Sequence, residues 1–207
     1  RVRKGRYLFT FFINISAGVG GKCSMEGKRL TSYAMEELEC PKCGHKHSLK
    51  KYKVINVTEK AKLKEEIMKN RLYQFSCEEC EYMAPLTYDS LYVDSRRNIM
   101  IYMAPVMNAE IKAEIAELEQ EKGIDKRLVD NINDLKEKIM IADNHLDDRV
   151  IEIIKIMYID QMKKEMEDDT LLNILFDYNR DNYCFLVFFQ KKGIGKISWG
   201  GSGRNIY

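Results

Sequence analysis

Apolar positions change their spacing along the chain, and the changes divide it into segments of unlike type. Residues 47–57 set Leu49, Tyr52, Val54, Ile55 and Val57 among lysines, the pattern of a half-buried strand. Thr58 stands where a helix cap belongs, and Leu63 and Ile67 share one face of a short helix running to Asn70. A strand from Leu72 to Ser76, a second from Tyr82 to Tyr88 and the apolar run Ile99 to Met103, closed by Pro105, complete a β-rich part.

From 108 to 166 the spacing turns helical. Ile111, Ile115 and Leu118 predict a helix ending at Gly123, and Asp125 is placed to cap the next, with Leu128, Ile132, Leu135 and Ile139 along its stripe. A third helix, Leu146 to Met166, carries a broad apolar face of Val150, Ile153, Ile154, Met157 and Tyr158, which predicts that it is the most buried of the three. The tail alternates again. Leu171 to Tyr178 and Tyr183 to Gln190 flank the turn-forming run Asn179-Arg180-Asp181-Asn182 and predict a hairpin, to which Gly193 to Trp199 can add a strand.

Composition changes this picture in two ways. With 207 residues, 45% of them hydrophobic, the chain can build its core without depending throughout on staples or metal. The formal net charge of +2 conceals a segregation: residues 1–34 carry +6 and the remainder −4. Arg1, Arg3, Lys4 and Arg6 precede the run Tyr7 to Ile13, an order reminiscent of a secretory leader, but the run is too short to span a bilayer. Residues 1–36 are therefore expected to be a disordered or non-native extension. Within them, Ser16 to Cys23 misses two of the four fixed positions of a phosphate loop and reads as a glycine-rich linker.

Candidate chemistry lies in the cysteines. Cys40-Pro41-Lys42-Cys43 and Cys77-Glu78-Glu79-Cys80 form two Cys-x-x-Cys pairs. A two-residue spacer lets both thiolates of a tight turn face one ion, and two such pairs supply the four soft ligands of a tetrahedral zinc site. Pro41 presets the first turn and Gly44 permits the positive dihedral on which it ends; the second pair has neither. Disulfides across two-residue loops and a redox dithiol, which needs one pair, fit less well. The expectation is one structural Zn²⁺ per chain on Cys40, Cys43, Cys77 and Cys80, with no coordination position left for substrate. Such thiolates imply a reducing, cytoplasmic setting. His45 and His47 follow the first pair, where one imidazole can hydrogen-bond a sulfur; Cys23 and Cys184 have no partner at ligand spacing.

The predicted fold class is α+β: a four-cysteine zinc-ribbon-like β region with an inserted short helix at 37–105, a helical region at 106–168, a C-terminal β-hairpin at 169–199 and a tail at 200–207. Cys40-Pro41-Lys42-Cys43-Gly44, Ile55-Asn56-Val57, the second Cys-x-x-Cys, Leu91-Tyr92-Val93-Asp94 and the Ile99-to-Pro105 strand follow in the order and spacing of the CpXC domain family, which the chain resembles over roughly 37–198. Leu146 to Glu152 resembles the helix that follows in that family. The resemblance implies a prokaryotic, cysteine-rich domain and supports the zinc site without adding a reaction. The chain departs from the pattern in lacking Pro in the second pair and in carrying Val93 where many members show His.

Two functions compete. The first is a zinc-stabilised module that presents a surface to a protein partner. The second is a nucleic-acid-binding ribbon using Lys46, Lys50, Lys51 and Lys53 with Tyr52; the glutamates around both cysteine pairs and the −4 body weigh against it. An enzyme is not expected: no deaminase-type zinc motif is present, and His145 lies alone in a helix–helix connection. Asp147 and Asp148, adjacent at a helix start, read as dipole partners and not as a catalytic pair.

Overall fold

The computed structural model describes residues 29–165, 170–179, 182–191, 193–198 and 204–205. The sequence readings for residues 1–28, the 180–181 turn tip and Trp199 to Gly203 lie outside them. Two compact units divide the chain between Leu135 and Lys136.

In the first unit, strands β1 (Ser32–Glu39) and β2 (Lys46–Asn56) form an antiparallel hairpin with the first cysteine pair at its tip. A crossover follows, made of helix α1 (Lys62–Met68), a 3-10 turn at Arg71–Tyr73, and a small hairpin of β3 (Gln74–Ser76) and β4 (Met83–Pro85) with the second cysteine pair at its tip. Strand β5 (Ser90–Asp94) then pairs parallel to β2, β6 (Ile99–Met103) antiparallel to β5, and β7 (Asp125–Val129) parallel to β6. The sheet order is β1-β2-β5-β6-β7.

All residues of β5 and β6 are buried, the signature of strands covered on both faces. One face, with Leu91, Val93, Met100 and Tyr102, packs on Ile111 and Leu118 of helix α2 (Ala109–Glu119), whose first turn is capped by Asn108 Oδ1 accepting from Ile111 N at 2.8 Å. Asp94 closes the β5–β6 turn: Oδ1 accepts from Arg96 N, and Lys64 of α1 pairs with Oδ2 at 2.9 Å. Asp94 and Leu91-Tyr92-Val93 thus act through packing and turn closure.

The second unit holds helix α4 (Asp148–Glu165) and the sheet β11-β10-β9-β8, built from β8 (Leu171–Asn179), β9 (Asn182–Phe189), β10 (Gly193–Ser198) and β11 (Arg204–Asn205). Helix α3 (Ile132–Asp143) straddles the division between the units. Ile174, Phe176, Phe185, Val187 and Phe189 form a core with Ile141 and Ile151, joined by Ile154 and Tyr158. The predicted tail hairpin and its third strand are present.

A charged cluster lies beside this core. Lys138 is 2% exposed; its Nζ donates to Asp148 Oδ1 at 2.7 Å and to Glu152 Oε1 at 2.5 Å. Lys155 Nζ donates to both Glu137 oxygens and to Glu152. Glu137 Oε1 also accepts the backbone N–H of Phe176 at 2.5 Å, which tethers α3 to the outermost strand of the sheet.

Four expectations require correction. Strand β1 begins at Ser32, inside the segment expected to be an extension; it is held chiefly by pairing with β2 and shows no alternation of burial that could announce it. Thr58 does not cap α1, which starts at Lys62 behind Ala61; its Oγ1 instead accepts from Ser95 N at 2.8 Å. The stripe Leu128 to Ile139 is not one helix, because residues 125–129 extend to pair with β6 and Asn131 Oδ1 caps the new helix through Asp134 N. The helical region at 106–168 is accordingly interrupted by a strand. Finally, the apolar residues of α4 do not make one buried face. Ile154 and Tyr158 pack inward, whereas Val150, Ile153 and Met157 are 49%, 56% and 66% exposed.

Candidate metal centre

The tips of the β1–β2 and β3–β4 hairpins meet, and the four sulfurs of Cys40, Cys43, Cys77 and Cys80 lie within 4.8 Å of one another. Cys40 Sγ is 3.6 Å from Cys80 Sγ, and Cys43 Sγ is 3.5 Å from Cys77 Sγ. A zinc ion with bonds of about 2.3 Å in a tetrahedron requires sulfurs about 3.8 Å apart, so the donor set fits the ion in number, chemistry and spacing. Cys40 and Cys77 are buried, Cys43 is exposed and Cys80 is half-buried.

Both turns close in the same way. Gly44 N donates to Cys40 O at 2.8 Å and Cys40 N to His45 O at 2.8 Å; Glu81 N donates to Cys77 O at 3.1 Å and Cys77 N to Tyr82 O at 2.8 Å. Gly44 has φ +73° and Glu81 φ +55°, so the second turn reaches the left-handed conformation without glycine. Lys42 Nζ donates to Cys80 O at 3.1 Å and links one turn to the other. Glu81→Gly should therefore raise stability by about 0.5 kcal/mol by relieving the strained backbone. Gly44→Ala should lower it by about 1 kcal/mol, because its added Cβ meets only Glu39 Oε1 at an ordinary 3.6 Å and the cost lies in the dihedral. Denaturant midpoints of the two variants, moving in opposite directions, would check both.

The electrostatics favour a cation. For Cys40, burial acts upward, but hydrogen bonds from the Cys43 and Lys42 amides and from neighbouring thiols bring it down to about 7. For Cys43, the His45 amide acts downward, but burial and the other sulfurs push it up to about 12. Burial also raises Cys80. The raised Cys43 and Cys80 thiols resist ionisation, and a bound divalent ion would offset that resistance. Beneath the sulfurs, Phe75 packs with Leu38, Leu49, Tyr82 and Leu86. His47 Nε2 lies 3.2 Å from Cys77 Sγ and its ring stands edge-on to Phe75, the hydrogen bond anticipated for one of the two histidines. Support of this kind orients a ligand sulfur.

Other candidates fall elsewhere. The lysines of β2 are not a single basic face: alternation puts Lys46 and Lys50 on the side opposite Lys51, and Lys53 falls at a register shift. Lys50 lies over the Tyr33 ring at 4.8 Å, Lys51 pairs with Glu36, and Lys53 with Asp89 at 3.4 Å. Asp147 Oδ1 accepts from Arg149 N at the start of α4, as a dipole partner should, but Asp148 is buried against Lys138. His145 occupies the α3–α4 turn with φ +56°, and Cys184 is buried in β9. Sequence reasoning missed the Lys42 link and the Lys138 cluster; a lysine carries no sequence mark of burial, since its partners come from distant positions.

The chain is thus of mixed α/β content with a four-cysteine group that could hold a metal ion. It belongs to the CpXC family, whose model, described as CpXC protein, matches residues 38–155. The match runs from the end of β1 through both cysteine pairs to Lys155 of the buried cluster. No curated protein and no solved structure matches the chain. Among the described residues, no helix is long and apolar enough to cross a membrane.

Proposed function

We propose that Cys40, Cys43, Cys77 and Cys80 hold one structural zinc ion, and that the unit it braces is a protein-interaction module working in the reducing cytoplasm. The observation that carries the metal reading is the meeting of two hairpin tips with four sulfurs at tetrahedral spacing. Thiolates at all four positions favour zinc over hard cations and leave no place for a bound water, which supports a bracing role. The interaction reading is supported by β1, a sheet edge whose Tyr33 and Met35 are 48% and 55% exposed. Edge strands with apolar side chains are a common place for a partner chain to add.

Metal analysis of the purified full chain is expected to return one zinc per chain; four thiols fully oxidised to disulfides, with no metal, would sink the reading. Capture from source-cell extract by the intact chain and by a Tyr33→Ser/Met35→Ser variant tests the partner. A protein retained by the first and lost from the second supports β1 as the contact, and equal retention excludes it.

A further inference from the structure

Helix α4 is apolar on two opposite sides. One side, with Ile151, Ile154, Tyr158, Ile159 and Met162, is accounted for by the core of its own unit. The other carries Val150, Ile153, Ile156 and Met157, all between 49% and 66% exposed. A contiguous exposed apolar face on a helix marks an interaction surface.

The order of residues along this outer face says what covers it. Arg149, Ile153, Ile156 and Asp160 follow at spacings of four, three and four, the seam of a two-helix coiled coil, with Val150 and Met157 seven apart along one flank. All six are exposed. The seam is self-complementary when reversed. In an antiparallel pair whose two-fold axis passes between positions 154 and 155, Ile153 meets Ile156 of the copy, and Arg149 meets Asp160 of the copy at each end. Val150 and Met157 then meet each other across the flank. A parallel pair would instead stack Arg149 on Arg149 and Asp160 on Asp160. The Arg149 guanidinium is already steered at the helix start by Asp147, through Nε at 3.0 Å and Nη2 at 2.7 Å; that pair is exposed and weak enough to share.

We infer that α4 is the contact of a two-fold homodimer, with a second copy of this chain as the occupant of its outer face. Residues that match themselves under a two-fold axis define an isologous interface. One helix pair of this length buries roughly 800 Å² in total, less than the about 1,000 Å² that a stable interface clears, so the dimer is expected to be weak and reversible. The surface belongs to the second unit, and its use does not rest on the metal reading.

Sedimentation velocity on the full, metal-loaded chain from about 1 to about 200 µM tests this, a range that extends to weak association. The wild type is expected to pass from monomer to dimer. Ile153→Asp should remain monomeric throughout while keeping its helical circular dichroism and metal content. Arg149→Asp and Asp160→Arg should each weaken the dimer by about tenfold, and the double exchange Arg149→Asp/Asp160→Arg should restore it to within about threefold, because the charges again match across the axis. A wild type monomeric at the highest concentration would overturn the proposal and leave the face to another protein. A dimer indifferent to Ile153→Asp would place the contact elsewhere, and failure of the double exchange to recover would overturn the antiparallel register.

Discussion

Cys77→Ser is expected to strip the metal from the chain and to unfold the two cysteine turns while leaving the central strands intact. Cys77 is buried, 3.5 Å from Cys43 Sγ, and hydrogen-bonded to His47. The small cluster beneath the sulfurs, Phe75 with the two buried cysteines and five half-buried neighbours, cannot hold two hairpin tips together by area alone. A structural zinc ion contributes on the order of 10 kcal/mol to the fold of the segment that binds it. By contrast, Leu91, Val93, Met100 and Tyr102 pack on α2 without any residue of the cysteine turns. Hydrogen exchange should therefore show lost protection at Cys40, Gly44, Cys77 and Glu81, with protection kept in β5 and β6. Treating the wild type with a strong zinc chelator should give the same pattern. Unchanged protection at the four turn amides in metal-free protein would show that the ion does not brace the fold.

Lys138→Met is expected to cost about 3–5 kcal/mol, the range for removing one partner from a buried ionic group. The side chain has similar volume, so the loss is electrostatic: Asp148 and Glu152 would lose their Lys138 ammonium, with Lys155 still facing Glu137 and Glu152. Glu137→Gln should cost less. Burial pushes the Glu137 carboxyl above its ordinary range, with Lys155, Lys138 and the Phe176 N–H only partly restoring it, and the amide oxygen can still accept from Phe176. For Lys138, burial acts downward, but Asp148, Glu137 and Glu152 outweigh it and raise the ammonium above its ordinary 10.5. A raised folded value means that its contribution is complete below 10.5 and is lost as pH climbs through the higher folded value. Wild type and Lys138→Met should therefore differ by a constant amount at neutral pH and converge above 10.5. Urea midpoints measured across that range would check the sign, and equal losses for the two variants at neutral pH would contradict this account of the cluster.

What could be read from the sequence was whatever depends on neighbours in sequence. The four cysteines declare themselves by spacing, and Ile99–Met103 by a run of apolar residues with no helical repeat. Strand β1 could not be read: Ser-Tyr-Ala-Met-Glu-Glu-Leu-Glu owes its conformation to β2 and its exposure to the sheet edge. Asp125 to Val129 looks like the first turn of a helix until β6 supplies parallel partners. In α4 the two apolar sides interleave within nine positions, so Val150, Ile153 and Met157 merge with Ile154 and Tyr158 into one broad stripe that only packing can separate. The second cysteine turn looked the poorer for want of Pro and Gly, yet Glu81 takes the required dihedral under the constraint of its hairpin.

The parallel pairing of β2 with β5 bears on the order in which the chain assembles. Val54 meets Leu91, Ile55 meets Tyr92 and Asn56 meets Val93 only after the intervening crossover has been brought round. An ion held between Cys43 and Cys77 would join positions 34 residues apart and draw the β3–β4 hairpin back to the start of β2. Closing such a loop costs roughly 3–4 kcal/mol of chain entropy, which metal capture would meet before any β2–β5 hydrogen bond forms. The ion would then act as a folding nucleus supplied from outside, turning a slow, distant strand pairing into a near one.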